Sequence, residues 1–257
     1  DDNNNLLRTE MYNGDELDYV EKEMEYNGDN QLILETEYDD YGNKLYVNKY
    51  SYNEQGLVVK HVRDEIQNKD RRTYEYTYDA NKLVLSTVAY KWDVVKNTWG
   101  YSTKVLADYD NHKNQTKDER YQWAIDPSLP DGGYWKGTKY EVTTYNDKNV
   151  ETDKTIYQWD DTNRRWLGNS KSIYEFDAAN HLVLEEQYTW SLDPADPDGG
   201  FWQGTKKEEF GYNAANQQTK AITYEWSTAI NDWIGKTKVL SDYDSNKNQT
   251  LNEQYTW

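Results

Sequence analysis

The sequence predicts an all-β protein, an antiparallel meander of tandem β-hairpins. All eleven Trp fall on one ruler: 92, 99, 123, 135, 159, 166, 190, 202, 226, 233 and 257, with gaps of 7, 24, 12 and 24 summing to a period of 67. A Tyr-x-Trp motif ends at Trp92, Trp123, Trp159, Trp190, Trp226 and Trp257. Residues two apart share a face on a strand but not on a helix. Finally, 25 Tyr and 11 Trp stand in a chain that is only 35% hydrophobic, so apolar burial must be mostly aromatic and strand-compatible.

Each gap of 24 reads as strand, turn, strand. Ten residues after its leading Trp stands Tyr109-Asp110, Tyr145-Asn146, Phe176-Asp177, Tyr212-Asn213 or Tyr243-Asp244, followed by a short polar stretch. Asp and Asn bond their own backbone and tolerate left-handed conformations, which makes these turns. Even steps from Trp99 through Tyr101, Thr103, Val105 and Ala107 to Tyr109 predict one continuous side-chain face. The gaps of 7 and 12 are loops at the other end, tight in "DVVKNT" and longer in "SLDPADPDGGF". Surface loops tolerate such length changes. Inside a hairpin a one-residue slip would turn every aromatic to the opposite face, so the constant spacing preserves register.

Residues 67–257 therefore form Trp-marked repeats, two hairpins per period, and residues 1–66 a short-strand N-terminal part of the same continuous array, 1–257. There the turn markers Tyr12, Tyr26, Tyr38 and Tyr52 recur every 12–14 residues. Lys104, Asp108, Lys206, Glu208 and Lys236 put charge between the aromatics on both faces. That undersupplies a thick core and predicts an elongated, largely single-layer twisted sheet or superhelix. A closed barrel or β-sandwich is the alternative.

The turns "YDDYGNKL" (Tyr38–Leu45), "YNEQGL" (Tyr52–Leu57), "YDANKLVL" (Tyr78–Leu85), "FDAANHLVL" (Phe176–Leu184) and "YDSNKNQT" (Tyr243–Thr250) resemble the YD repeats of bacterial RHS-type surface and toxin-delivery proteins. The resemblance implies tandem hairpins, secretion and bacterial origin. The chain departs from that pattern in keeping the turn glycine only near its N-terminus and in adding Trp-x-Gly and Tyr-x-Trp. It is also too short for the large closed shell of those toxins. Hairpin architecture and envelope location carry over; toxin function does not.

A formal charge of −18 argues against nucleic acid or anionic membranes as partners. No apolar run approaches the ~18 residues that span a bilayer as a helix, so no membrane span is expected. With no Cys there is neither a disulfide framework nor a thiolate metal site. The polar start "DDNNNLLRTE" reads as the solvated leader of an exported chain whose signal segment precedes this sequence. The last strand, ending at Trp257, reads as an open edge, which predicts further pairing or edge-to-edge self-association.

Candidate chemistry is sparse. His61, His112 and His181 lie near no Ser or Cys constellation, and no phosphate loop or zinc-protease motif occurs. The doublets Glu185-Glu186 and Glu208-Glu209 point to opposite faces of a strand and make poor acid–base pairs, so no enzyme and no catalytic residue is expected. Asp193, Asp196 and Asp198 in one long loop, with Asp126 and Asp131 in its counterpart, form a candidate Ca²⁺ site; the competing reading is simple turn formation. Rows of Trp and Tyr can stack on sugars or dock on proteins. The candidate ligand-binding residues are Trp135, Trp202, Tyr134, Phe201, Trp123 and Trp190, beside the long loops. The expected role is a non-enzymatic secreted or cell-surface repeat protein acting as adhesin, spacer or protein-interaction scaffold. The alternative is a carbohydrate-binding module. The partner is a protein or a glycan at the cell surface.

Overall fold

A computed structural model describes residues 1–193, 195 and 199–257. Its N-terminal strands are β1 (Arg8–Asn13), β2 (Glu16–Tyr26), β3 (Leu32–Tyr38), β4 (Lys44–Tyr52), β5 (Val58–Glu65) and β6 (Asp70–Tyr78). The Trp-bearing strands begin with β7 (Val84–Asp93), β8 (Thr98–Tyr109), β9 (Gln115–Ile125), β10 (Gly133–Tyr145) and β11 (Glu151–Asp160). They continue with β12 (Arg165–Phe176), β13 (Leu182–Leu192), β14 (Gly200–Tyr212), β15 (Gln218–Ser227), β16 (Asp232–Tyr243) and β17 (Gln249–Thr256).

The seventeen strands form one open antiparallel sheet in which each pairs with its neighbours in sequence. The chain divides into two compact units, residues 1–107 with 120–135, and residues 108–119 with 136–257.

The turn tyrosines end their strands, and the Asx residue after each closes the loop. Asp79 Oδ1 accepts from the backbone N–H of Asn81 at 2.9 Å and of Leu83 at 2.8 Å. Asn27, Asp39, Asn53, Asp110, Asn146, Asp177, Asn213 and Asp244 cap their own loops in the same way. The residue three beyond the Asx has positive φ: Gly42 and Gly56 near the N-terminus, but Lys82, Lys113, Lys247 and four Asn elsewhere. In several hairpins the Tyr hydroxyl then reaches back to the start of the preceding strand, while Tyr38 donates to the Glu23 carboxylate. Tyr52 donates to the Leu32 carbonyl and Tyr78 to the Val58 carbonyl, each at 2.6 Å.

No large side chain is fully buried among the described residues, and the buried apolar ones are Ala89 and Ala107. A barrel or sandwich would enclose a core between layers, so the open meander stands and the alternative does not. Cohesion comes from the ladder, from aromatic pairs and from cross-strand ion pairs such as Lys139–Asp118, Lys206–Glu185 and Lys207–Glu186, each at 2.8 Å.

One expectation is corrected. Opposite Ala89 and Tyr90 stand Thr103 and Tyr101, so Ser102 is an extra residue. Asn169, Thr205 and Lys236 are extra in the same way on β12, β14 and β16. These bulges turn the strand over. Trp99 and Tyr101 share one face, while Thr103 and Val105 lie on the other, so the even-step face from Trp99 to Tyr109 is broken.

Candidate functional site: the aromatic loop end

The Trp ruler places indoles opposite one another across the loop-end turns. Trp92 faces Trp99, Trp159 faces Trp166, Trp190 faces Trp202, and Trp226 faces Trp233 in register. Each pair is edge-to-face, with ring centroids 5.0–5.2 Å apart, and Trp123 meets Trp135 at 5.1 Å. This is the favoured arrangement for aromatic quadrupoles, worth about 0.5–1.5 kcal/mol beyond area burial.

The glycine of Trp-x-Gly is the floor on which the next pair rests. A Cβ at Gly168 would lie 2.5 Å from Trp190 Cε3 and 2.9 Å from Trp202 Cη2. Gly137 lies under Trp159 and Trp166, and Gly204 under Trp226 and Trp233. The motif is thus a steric requirement: two indoles sit where a side chain would be.

The first Trp-led hairpin breaks this rule. Its sequence is Trp99-Gly100-Tyr101, with Tyr at the position that is Gly137, Gly168, Gly204 and Gly235 in the other four. Tyr101 stands up from the sheet, 47% exposed. Its ring centroid is 4.9 Å from that of Trp123, 5.2 Å from that of Trp135 and 5.3 Å from that of Tyr90. A cleft of about 670 Å³ opens around it, walled by Tyr90, Trp92, Trp99, Trp123 and Ile125 and rimmed by Lys91, Asp93, Lys96 and Asp131. Its backing is polar: the Arg71 guanidinium lies 5.5 Å from the Trp99 ring and the Lys104 ammonium 4.5 Å from the Tyr121 ring.

Asp93 Oδ1 accepts from the N–H groups of Val95 and Lys96. Those loop amides, that of Lys96 above all, hold its carboxyl below the usual range. Burial, with Glu75 second, pushes the Tyr90 phenol up. Elsewhere, burial first and the Glu186 hydrogen bond second push the Tyr188 phenol to about 12. His61 is stacked between Tyr50 and Tyr74 and shares a 3.0 Å hydrogen bond with Asn48; burial lowers its pKa. His181 Nδ1 is 2.8 Å from Asp177 Oδ2 and belongs to a turn.

Of the sequence-predicted ligand residues, Trp123 walls the cleft, and Trp135 packs on Trp123 and Tyr101. Trp190 and Trp202 form a pair over Gly168. Tyr134 is half-buried beside Trp135, and Phe201, opposite Ser191, is 39% exposed. Sequence reasoning missed Tyr90, Trp92, Trp99 and Tyr101. The available signal was the misplaced glycine of Trp99-Gly100-Tyr101.

In the metal candidates, Asp126 Oδ1 accepts from Ser128 Oγ at 2.6 Å and from its N–H at 3.1 Å. Asp193 Oδ1 accepts from the Ala195 N–H at 2.9 Å. Asp131 lies at the cleft rim, while Asp196 and Asp198 fall outside the described residues. Among the described residues no three His, Asp or Glu converge as a metal cluster. No helix is long and apolar enough to cross a membrane, which says nothing of strands.

The chain matches no family model and no curated protein. Solved structures with a distant likeness include a protein of unknown function from Bacteroides fragilis, 14% identical, covering 52% of this chain and 96% of that one, with a TM-score of 0.34. A porin-like protein from Bacteroides uniformis is 12% identical over 78% of this chain and 81% of its own, with a TM-score of 0.30. A TcdB2–TccC3 structure is 10% identical over 94% of this chain, with a TM-score of 0.24, and this chain spans 16% of its length. None is close enough to assign the chain to a family or a role.

Proposed function

We propose that the chain is a non-enzymatic binding protein of the cell surface, a repeat scaffold that presents its loop-end aromatics to an external partner. The observation that carries this reading is where apolar surface is left uncovered. In the first unit, Val94, Val95 and Ile125 are 65%, 90% and 76% exposed, and Ile125 itself walls the aromatic cleft. Clustered apolar exposure beside a concave aromatic surface marks an interaction site.

The strand carboxylates Asp118, Glu185, Glu186 and Glu209 are paired with cross-strand lysines. Asp93 and Tyr90 in the cleft are both pushed away from neutral pH, the opposite of a tuned acid or base. Surface location is supported by the likeness of the turns to YD repeats.

Beads coated with the chain should be retained on intact bacterial cells or on a mucin layer under flow. Val95→Asp with Ile125→Asp should abolish retention. Retention no better than that of an unrelated β-rich protein would refute the proposal.

A second reading, edge-to-edge self-association, is favoured by β17, exposed at every residue, with Trp257 70% exposed above Gly235. Light scattering across a hundredfold concentration range should show a mass above 30.5 kDa; a strict monomer excludes it.

A further inference from the structure

We infer that the Tyr101 cleft is a subsite for a neutral sugar, with a pyranose ring stacked on the exposed aromatic face and its hydroxyls at the charged rim. This deepens the binding role proposed above and rests on it.

The cleft lies where the chain departs from its repeat. Gly137, Gly168 and Gly204 show that the fold at this position is satisfied, and crowded, without a side chain. Tyr101 replaces a buried floor with a half-exposed ring and opens the space around it. Its ring packs on Tyr90, Trp123 and Trp135, yet stays half exposed at the cleft.

The cleft holds about 670 Å³, within the ~300–1,000 Å³ of small-ligand sites. Its rim carries two lysines and two aspartates, and Arg71 and Lys104 stand behind its rings, so donors and acceptors both surround the aromatic walls. Lys91 lies 3.4 Å from Asp70, and Asp93 is held by its own loop. Lys96 reaches Asp93 at 3.8 Å, and Asp131 adds an exposed acceptor at the rim. An alternation of donors and acceptors around aromatic walls suits hydroxyl groups, which do both, on a ring whose face is C–H.

A strand-like peptide finds no pairing edge at the cleft. β8 lies between β7 and β9 with its backbone in the ladder on both sides, so no free edge is available for strand addition.

The intact chain is titrated with cellotetraose, xylotetraose, maltotetraose and mannotetraose, and with choline as the cation probe for an aromatic cage. Tryptophan fluorescence and calorimetry are the readouts. At least one oligosaccharide is expected to bind and perturb the indole emission. Tyr101→Gly installs the residue of the other hairpins and is expected to weaken binding about tenfold or more, while Tyr101→Trp retains it. Asp131→Ala, at an exposed loop position, is expected to weaken it about threefold by loss of one hydrogen bond.

Binding of no oligosaccharide, or binding unaltered by Tyr101→Gly and Asp131→Ala, overturns the inference. Choline binding that depends on Tyr101, without sugar binding, overturns the sugar assignment and leaves the binding role standing. Cell retention of the beads without any Tyr101-dependent ligand likewise places the contact elsewhere. Failure of both experiments removes both proposals.

Discussion

Substituting Gly168 by Ala tests the floor beneath the indole pairs. The added methyl would lie 2.5 Å from Trp190 Cε3 where ordinary contact begins near 3.4 Å, so the ring must withdraw by about 0.9 Å. The neighbours are the rigid parts of two bicyclic rings, themselves fixed edge-to-face at 5.0 Å. Overpacking of this kind costs about 1–3 kcal/mol. Separating Trp190 from Trp202 forfeits part of a further ~0.5–1.5 kcal/mol. Against these, Gly→Ala restricts the unfolded chain and returns about 0.4–1 kcal/mol.

The net destabilisation is about 1–3 kcal/mol. It should appear as a lower urea midpoint in tryptophan fluorescence, with a shifted emission maximum in the folded baseline. Gly100→Ala is the matched control: its nearest neighbour is the Lys91 carbonyl oxygen at 3.9 Å, and it should be neutral or slightly stabilising. Equal midpoints for the two variants would refute the floor argument.

Other consequences follow from the turns and the titrating groups. Lys247→Gly, and likewise Lys82→Gly or Lys113→Gly, relieves a left-handed Lys and should raise stability by about 0.5–1 kcal/mol, the left-handed penalty less the entropy cost of Gly; a lower melting temperature would contradict it. Tyr78→Phe removes the 2.6 Å bond to the Val58 carbonyl and should cost about 1 kcal/mol by urea unfolding; no loss would mean that water replaces it freely. Stability should vary with pH on both sides of a plateau between about pH 7 and 10. Tyr188 and Tyr224 are raised to about 12, in both by burial first and then by a glutamate hydrogen bond. Their contribution is complete below the unfolded value near 10 and is lost as pH climbs through about 12. His61 is lowered by burial and then by Arg63, so its contribution fades as pH falls below about 6.5. Asp110 and Asp244, lowered first by the amides of Asn114 and Asn248, lose theirs below about pH 4. An alkaline limb unchanged in Tyr188→Phe with Tyr224→Phe would reject the tyrosine assignment.

The hairpins were legible because Trp spacing and Asx turns are local facts that survive as counts. The direct facing of Trp159 with Trp166, or Trp190 with Trp202, follows from equal strand lengths about a turn. The bulges were not legible. Ser102, Asn169, Thr205 and Lys236 share no chemistry, since an extra residue in a ladder requires only that its partner strand lack one. The even-step face therefore failed two residues past each leading Trp.

At the candidate site, the rows of Trp were visible but not their engagement with one another, because a pair held over Gly168 and a ring lining a cleft have the same spacing. What separates them is Tyr101 in place of glycine, a difference that gains meaning only once the glycine is seen to be a floor. In the long loops, Asp126 was visible as a turn carboxylate, but its bonds to the Ser128 hydroxyl and amide depend on loop geometry.

The register itself can be measured in a chain that has no native cysteine. Trp226→Cys with Trp233→Cys, directly opposed across β15 and β16, should close a disulfide under mild oxidation. Trp226→Cys with Ile234→Cys, one residue out and on the other face, should not. Efficient closure of the offset pair, or none in the opposed one, would contradict the reading of tryptophan spacing as strand register.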